Sequence, residues 1–78
     1  MSKNVKVYST PACPFCVMAK HFLKNDNIDF EDIDVSVNQA AAEEMVRKSG
    51  QTGVPVIDID GDIIVGFDKQ RIKSILGL

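Results

Sequence analysis

A short segment near the end of the chain carries its strongest local structural signal. Two runs rich in β-branched residues, Val56–Ile59 and residues 63–65, flank Asp60 and Gly61. An Asp-Gly pair between such runs is typical of a two-residue turn that joins antiparallel strands. The sequence therefore predicts a β-hairpin here, which any fold of the chain must accommodate.

A strand, a helix and a second strand are predicted ahead of the hairpin. Residues 3–9 alternate between polar and apolar types, and residues 28–35 read as a half-exposed strand broken up by acids. Between them, residues 15–25 place apolar side chains at three- and four-residue spacing, with Lys20 and Lys24 expected to face outward. Such a unit favours a right-handed crossover and parallel pairing of its two strands.

Two further helices complete the predicted order. One begins after Ser36 or Asn38 and ends at Gly50, and the other is capped by Asp68 and ends before Gly77. The order is then β-α-β-α-β-β-α. Parallel strands together with a hairpin predict an α/β fold with a four-stranded mixed sheet flanked by three helices.

Size and charge exclude several functional classes. The 78 residues suffice for one domain, residues 1–78, and 45% hydrophobic with 26% charged residues is ordinary globular usage. A net charge of -2 and a pI near 5.1 argue against nucleic acid or an anionic membrane as partner. Neither a membrane-spanning run nor a signal-peptide pattern is found, so we expect a cytoplasmic monomer.

The motif Cys13-Pro14-Phe15-Cys16 lies where the first strand gives way to the first helix. Cys13 falls in the cap region and Pro14 at the first helical position, where its missing N–H costs nothing. The free N–H groups of that helix end stabilise a thiolate, so we expect Cys13 to be the nucleophile. Cys16, about one turn further and nearer the interior, is expected to remain a thiol until it attacks the mixed disulfide formed by Cys13.

Two other roles are conceivable for the cysteine pair, and the sequence disfavours both. A stabilising disulfide is disfavoured, because closing so short a loop stabilises by about 2 kcal/mol, against about 3 for fifteen residues. A zinc site needs four ligands, and the chain has no second cysteine pair. His21, in the middle of the predicted helix, is expected to be a structural surface residue.

A second motif, Thr52-Gly53-Val54-Pro55, precedes the hairpin. A Cys-Pro-aromatic-Cys motif after a first strand, followed about forty residues later by Val-Pro before a hairpin, resembles the glutaredoxins over essentially the whole chain. The resemblance implies a thioredoxin-like fold in which Pro55 is a cis-proline facing the cysteines. It also implies that the backbone of Val54 pairs with a substrate peptide or with glutathione, as an added strand would.

The resemblance also implies a set of glutathione contacts. Gly66, Phe67 and Asp68 correspond to a glycine-rich segment whose amides and acid hold the γ-glutamyl end, and a helix N-terminus suits a carboxylate. Gln51, beside Thr52, stands where glutaredoxins bind the glycyl carboxylate.

Three positions in or near these motifs depart from the usual glutaredoxin pattern. Val65 replaces the first glycine of the glycine-rich segment, and Lys69 replaces its second aspartate. Phe15 replaces a more usual tyrosine, and we expect its ring to be partly exposed as a docking surface.

The function implied is a glutathione-dependent thiol–disulfide oxidoreductase that reduces protein disulfides and glutathione mixed disulfides. Glutathione would be a co-substrate, and no metal or organic group would be bound. The closest alternative is a glutaredoxin-like redoxin, reduced by thioredoxin reductase and donating electrons to ribonucleotide reductase. A glutathione-assisted iron–sulfur carrier and a binding module without turnover are the alternatives of another class; Pro14 disfavours the carrier.

Overall fold

A computed structural model describes residues 4–78 of the chain. It contains seven elements in the order predicted from the sequence, namely β1 Val5–Ser9, α1 Pro14–Asn25, β2 Glu31–Asp34, α2 Gln39–Ser49, β3 Val56–Ile59, β4 Asp62–Val65 and α3 Lys69–Leu76. No helix of this described part is long and apolar enough to cross a membrane.

The four strands form one mixed sheet in the order β2-β1-β3-β4. Strand β1 runs parallel to β2, with Val7 opposite Asp32, and antiparallel to β3, with Val7 opposite Ile57. Strands β3 and β4 pair antiparallel around Asp60 and Gly61, both of which have positive φ angles. The predicted parallel unit and hairpin are therefore both confirmed.

Each face of the sheet carries its own apolar cluster. The face covered by α1 and α3 is the larger cluster, and its buried members are Val5, Val7, Ala19, Leu23, Ile57, Ile59, Ile64 and Ile72. The face covered by α2 buries Tyr8, Met45 and Val56. Because successive side chains of a strand point to opposite faces, β3 supplies Ile57 to the first cluster and Val56 to the second.

Side chains cap all three helices at their first turn. Cys13 caps α1, Asn38 accepts from the Ala41 N–H to cap α2, and Asp68 accepts from the Arg71 N–H to cap α3. Of the two candidates for the α2 cap, the structure selects Asn38. Ser36 instead binds the carboxylate of Asp34 through its N–H and its hydroxyl.

Some predicted bounds were wrong. The second strand begins at Glu31, because Ile28 donates its N–H to the Leu23 carbonyl and closes the end of α1 instead of entering the sheet. Ile28 and Phe30 still pack against the larger cluster. Strand β4 begins one residue earlier than predicted, and residue 3 of the predicted first strand lies outside the described residues.

A polar network joins α2 to the sheet beneath it. Lys48 donates to Asp58 over 2.7 Å, to the Tyr8 hydroxyl over 3.1 Å and to Glu44 over 3.2 Å, and the Tyr8 hydroxyl donates to Glu44. Burial by itself would raise the pKa of Asp58, but the hydrogen bonds from Lys48 and from the Gly61 N–H outweigh it and lower that pKa. Lys48 lies in the last turn of α2, so the network attaches the end of that helix to the sheet.

Candidate active site

Cys13 occupies the N-cap of α1 with an extended backbone, and Pro14 follows at the first helical position. The Cys16 N–H donates to the Cys13 sulfur over 3.2 Å. The Cys13 sulfur thus replaces one of the partners that the N–H groups of a helix end lack. The expected capping position of Cys13 is thus confirmed, and its side chain is partly exposed.

Cys16 lies directly beneath Cys13 and is fully buried. Both cysteines are free thiols. Burial, followed by the hydrogen bond and the charge of Cys13, raises the pKa of Cys16 to about 11, although the Thr10 backbone and Lys20 oppose that rise. Cys16 is therefore a protonated thiol at neutral pH, as its interior position led us to expect.

The loop that carries Val54 and Pro55 lies against the cysteines. The Val54–Pro55 peptide bond is cis, as the resemblance implied. The Cys13 thiol donates to the Val54 carbonyl over 3.8 Å, which brings the second motif onto the first. No hydrogen-bond partner for the Val54 N–H is found within residues 4–78.

Gly66 connects this loop to the start of α3. Its N–H donates to the Pro55 carbonyl over 2.8 Å, and its φ of +79° lies in the left-handed region that side chains disfavour. Phe67 contacts Phe22 of α1 with its ring tilted by 58° and the ring centroids 6.0 Å apart, and it packs against the larger cluster. Gly66 thus bonds to the cis-proline loop, and each of the residues 66–68 already has a partner within the fold.

Gln51 and Thr52 lie on the loop between α2 and β3. The Gln51 amide donates to the Gly53 carbonyl over 3.3 Å, so its side chain folds back onto its own loop. Thr52 is exposed. Their predicted contact with a glycyl carboxylate stays a prediction.

Phe15 projects from the first turn of α1 and is 60% exposed, as predicted for a docking surface. Val17 and Met18, close to it on the helix, are also exposed apolar side chains. Exposed apolar side chains therefore lie on the helix that Cys13 caps, which suits contact with a protein substrate. His21 is exposed, in agreement with its predicted surface position.

The sequence pattern missed a polar group behind Cys16. Contrary to the prediction, the Lys20 side chain does not face fully outward, because its ammonium lies 3.1 Å from Asp32 and 3.5 Å from the Ser9 hydroxyl. Ser9 is buried and donates to Asp32 over 2.9 Å. The spacing of Lys20 four residues after Cys16 was a signal for this placement, since such residues share one helix face.

Within residues 4–78, no group of three or more histidine, cysteine, aspartate or glutamate side chains is arranged to hold a metal ion. A capping thiol above a buried thiol, with a cis-proline loop against them, defines a thiol–disulfide oxidoreductase of thioredoxin-like fold.

Comparison with known sequences agrees with this class. The sequence profile of the Glutaredoxin family matches residues 5–64. A glutaredoxin-like 8.6 kDa protein of the rubredoxin operon of Clostridium pasteurianum is 51% identical over 92% of this chain and 96% of its own length. Glutaredoxin 3 of Escherichia coli is 40% identical over 83% of this chain and 78% of its own length. The chain belongs to the glutaredoxin family.

Solved structures give the same fold. The thioredoxin-like protein BC3987 superposes with a TM-score of 0.88 and is 33% identical, over 94% of this chain and 100% of its own. The glutaredoxin-like protein NrdH-redoxin of Escherichia coli, described as having a thioredoxin-like activity profile, superposes with a TM-score of 0.83 and is 28% identical, over 92% and 93% of the two chains.

Proposed function

We propose that the protein reduces disulfides of protein substrates and mixed disulfides of glutathione, with glutathione as its own reductant. The observation that carries the proposal is the pairing of a capping Cys13 sulfur with a buried Cys16 thiol, 3.2 Å from the Cys13 sulfur to the Cys16 nitrogen. The two thiols have different environments, as a two-step exchange requires.

In the first step, the Cys13 thiolate attacks one sulfur of the substrate disulfide. A Cys13–substrate bond forms, the substrate disulfide breaks, and the other substrate sulfur leaves as a thiolate. The Cys16 thiol then loses its proton to solvent and attacks the Cys13 sulfur. This second exchange forms the Cys13–Cys16 disulfide and releases the second substrate thiolate, so two electrons pass to the substrate. Two glutathione molecules restore the dithiol and become oxidised glutathione.

The edge of the Val54 loop provides a place for the extended part of a substrate. The Val54 carbonyl accepts only the long contact from the Cys13 thiol, and the Val54 N–H has no partner among the described residues. A peptide or a glutathione backbone that pairs with both groups would bring its sulfur to Cys13. Pairing of this kind recognises the backbone of the substrate rather than its side chains, so it suits substrates of varied sequence.

The start of α3 supports glutathione in part. The helix N-terminus there favours the γ-glutamyl carboxylate, and Asp68 provides an acid for the ammonium. Lys69, whose ammonium lies 5.5 Å from the centre of the Phe22 ring, would attract the carboxylate and repel the ammonium. We therefore expect weaker glutathione binding than in a glutaredoxin with two acids at this place.

A second function is favoured by the same lysine and by the similarity to NrdH-redoxin. In this case thioredoxin reductase would reduce the Cys13–Cys16 disulfide, and ribonucleotide reductase would be one acceptor of the electrons. The exposed apolar surface around Phe15 would then serve protein partners on both sides of the cycle.

Two coupled assays with one disulfide substrate test which reductant is used. One contains glutathione, glutathione reductase and NADPH, and the other contains thioredoxin reductase and NADPH. We expect turnover in the first; turnover in the second alone would replace the leading proposal by the redoxin. The Cys13→Ser variant is the control in both, and residual turnover by that variant would contradict the assigned nucleophile.

A further inference from the structure

We infer that Lys20 is a positioning residue for the second exchange, in which its ammonium stabilises the thiolate that Cys16 must form. The inference rests on the proposed roles of the two cysteines. It concerns a polar group that the capping geometry of Cys13 does not use.

The first observation is a small cavity lined by Lys20, by the end of β1 and by β2. Its volume is about 220 Å³, it opens to solvent, and it is lined by Ser9, Thr10, Pro11, Lys20, Asp32 and Asp34. Thr10 and Lys20, which both line this cavity, are the groups that oppose the rise in the pKa of Cys16.

The second observation is the restraint on the ammonium of Lys20. Asp32 holds it over 3.1 Å and Ser9 lies at 3.5 Å, while Ser9, only 2% exposed, donates to Asp32 over 2.9 Å. The Lys20 side chain is 20% exposed. These contacts hold the ammonium against β1 and β2, and Lys20 lies four residues after Cys16, on the same face of α1.

The charged groups around Cys16 come from α1 with its cap and from β2. Cys13 at the cap of α1 disfavours a second thiolate, Lys20 on α1 favours it, and Asp32 and Asp34 reach the cavity from β2 and its end. Once Cys13 is bound to substrate, its sulfur is neutral and no longer disfavours a thiolate at Cys16. Lys20 is then the cation whose charge still acts on the Cys16 sulfur, partly balanced by Asp32.

The size of the effect follows from exchange chemistry. Loss of the lysine charge lowers the thiolate fraction of Cys16, and a tenfold lower fraction does not slow the attack tenfold. The more basic thiolate is about threefold more nucleophilic, since the Brønsted slope for thiolate attack is about 0.4–0.5. The net expectation is about a threefold slower second exchange at neutral pH.

The experiment follows one exchange in isolation. The protein is loaded at Cys13 with a chromophoric aromatic thiol, and release of that thiol by Cys16 is timed by stopped flow across a pH series. We expect Lys20→Met and Lys20→Gln to slow release about threefold at neutral pH and to move its pH profile upward, and Lys20→Arg to restore both. Lys24→Met, one turn further along α1 at an exposed position, is the matched control and should release at the native rate.

Two outcomes would overturn the inference. One is an unchanged rate and pH profile in the folded Lys20→Gln or Lys20→Met protein, and the other is failure of Lys20→Arg to restore them. Cys16→Ser separates this result from the proposed function, because release that persists without Cys16 would contradict the resolving role itself. A direct titration of Cys16 by NMR in the Cys13→Ser background, with and without Lys20→Met, checks that the shift lies on that thiol.

Discussion

At the scale of single residues, the two cysteines have different environments because they lie three residues apart at the start of α1. Cys13 lies outside the first turn, where N–H groups lack helical partners, and Cys16 lies inside it, against the core. The same short spacing that makes the pair a poor stabilising disulfide gives each sulfur a different dielectric surrounding. Burial raises the pKa of Cys16 to about 11 and leaves the attack to Cys13.

Substitution of each cysteine should therefore give unequal results. Cys13→Ser is expected to abolish reduction of every disulfide, because no other thiol is exposed to substrate within the described residues. Cys16→Ser should keep reduction of glutathione mixed disulfides, which glutathione can resolve, and lose at least tenfold in reduction of protein disulfides. Steady-state rates with both substrate types measure this, and equal losses for both variants would contradict the roles.

Gly66 is a residue whose backbone conformation and hydrogen bond both matter. A side chain at φ +79° costs about 1–2 kcal/mol, and strain there would disturb the Gly66 N–H bond to Pro55. We expect Gly66→Ala to lower the free energy of unfolding by that amount and turnover several-fold. Gly61→Ala in the hairpin turn, also at positive φ and with no atom in the way, should match the stability loss but keep native turnover. Equal turnover in the two variants would show that the Gly66 contact does not support the site.

Among the elements, α2 is attached to the sheet by an apolar cluster and by a polar network centred on one cation. Its apolar contribution to the buried core is Met45, while Lys48 binds Asp58 of β3, Tyr8 of β1 and Glu44 of its own helix. The Asp58 side chain is only 10% exposed, so a carboxylate without Lys48 would be poorly solvated. The network also holds the hairpin, since Asp58 accepts from the Gly61 N–H over 2.8 Å.

Lys48→Met should thus lower the free energy of unfolding by about 2 kcal/mol. This loss lies between that of breaking an exposed ion pair and that of breaking a fully buried one. The pKa of Asp58 lies below its ordinary value of 3.8, so its contribution is present above pH 4 and is lost as pH falls through the acid range. Urea denaturation from pH 7 to pH 3 measures both effects. The native protein should lose stability toward acid, and Lys48→Met should lose less. Arg47→Met, at an exposed position of the same turn, is the control and should follow the native curve.

At the scale of the whole molecule, periodicity was sufficient for the element order but not for the polar contacts between elements. Alternation in Val5–Ser9 and the Asp-Gly turn depend on neighbouring residues, and both were predicted correctly. The prediction that Ile28 starts the second strand was wrong, because an apolar residue that ends a helix looks the same in sequence as one that starts a strand. Local motifs predicted the residues of the candidate site. The hydrogen bonds of Lys20 and Lys48, in contrast, join residues 10 to 40 positions apart, which no local pattern brings together.

The two apolar clusters should unfold as one unit, because β3 lies between its neighbours in the sheet and is buried along its whole length. Tyr8 is the single tyrosine in a chain without tryptophan, so its fluorescence reports the α2 face, while circular dichroism reports the whole backbone. Ile57→Ala removes a fully buried side chain from the opposite face and should cost about 2–5 kcal/mol, a large share of the stability of so small a domain. We expect both signals to shift together to lower urea, whereas Val37→Ala, at an 82% exposed position, should shift neither. A tyrosine transition that stays at the native midpoint in Ile57→Ala would show that the faces unfold separately.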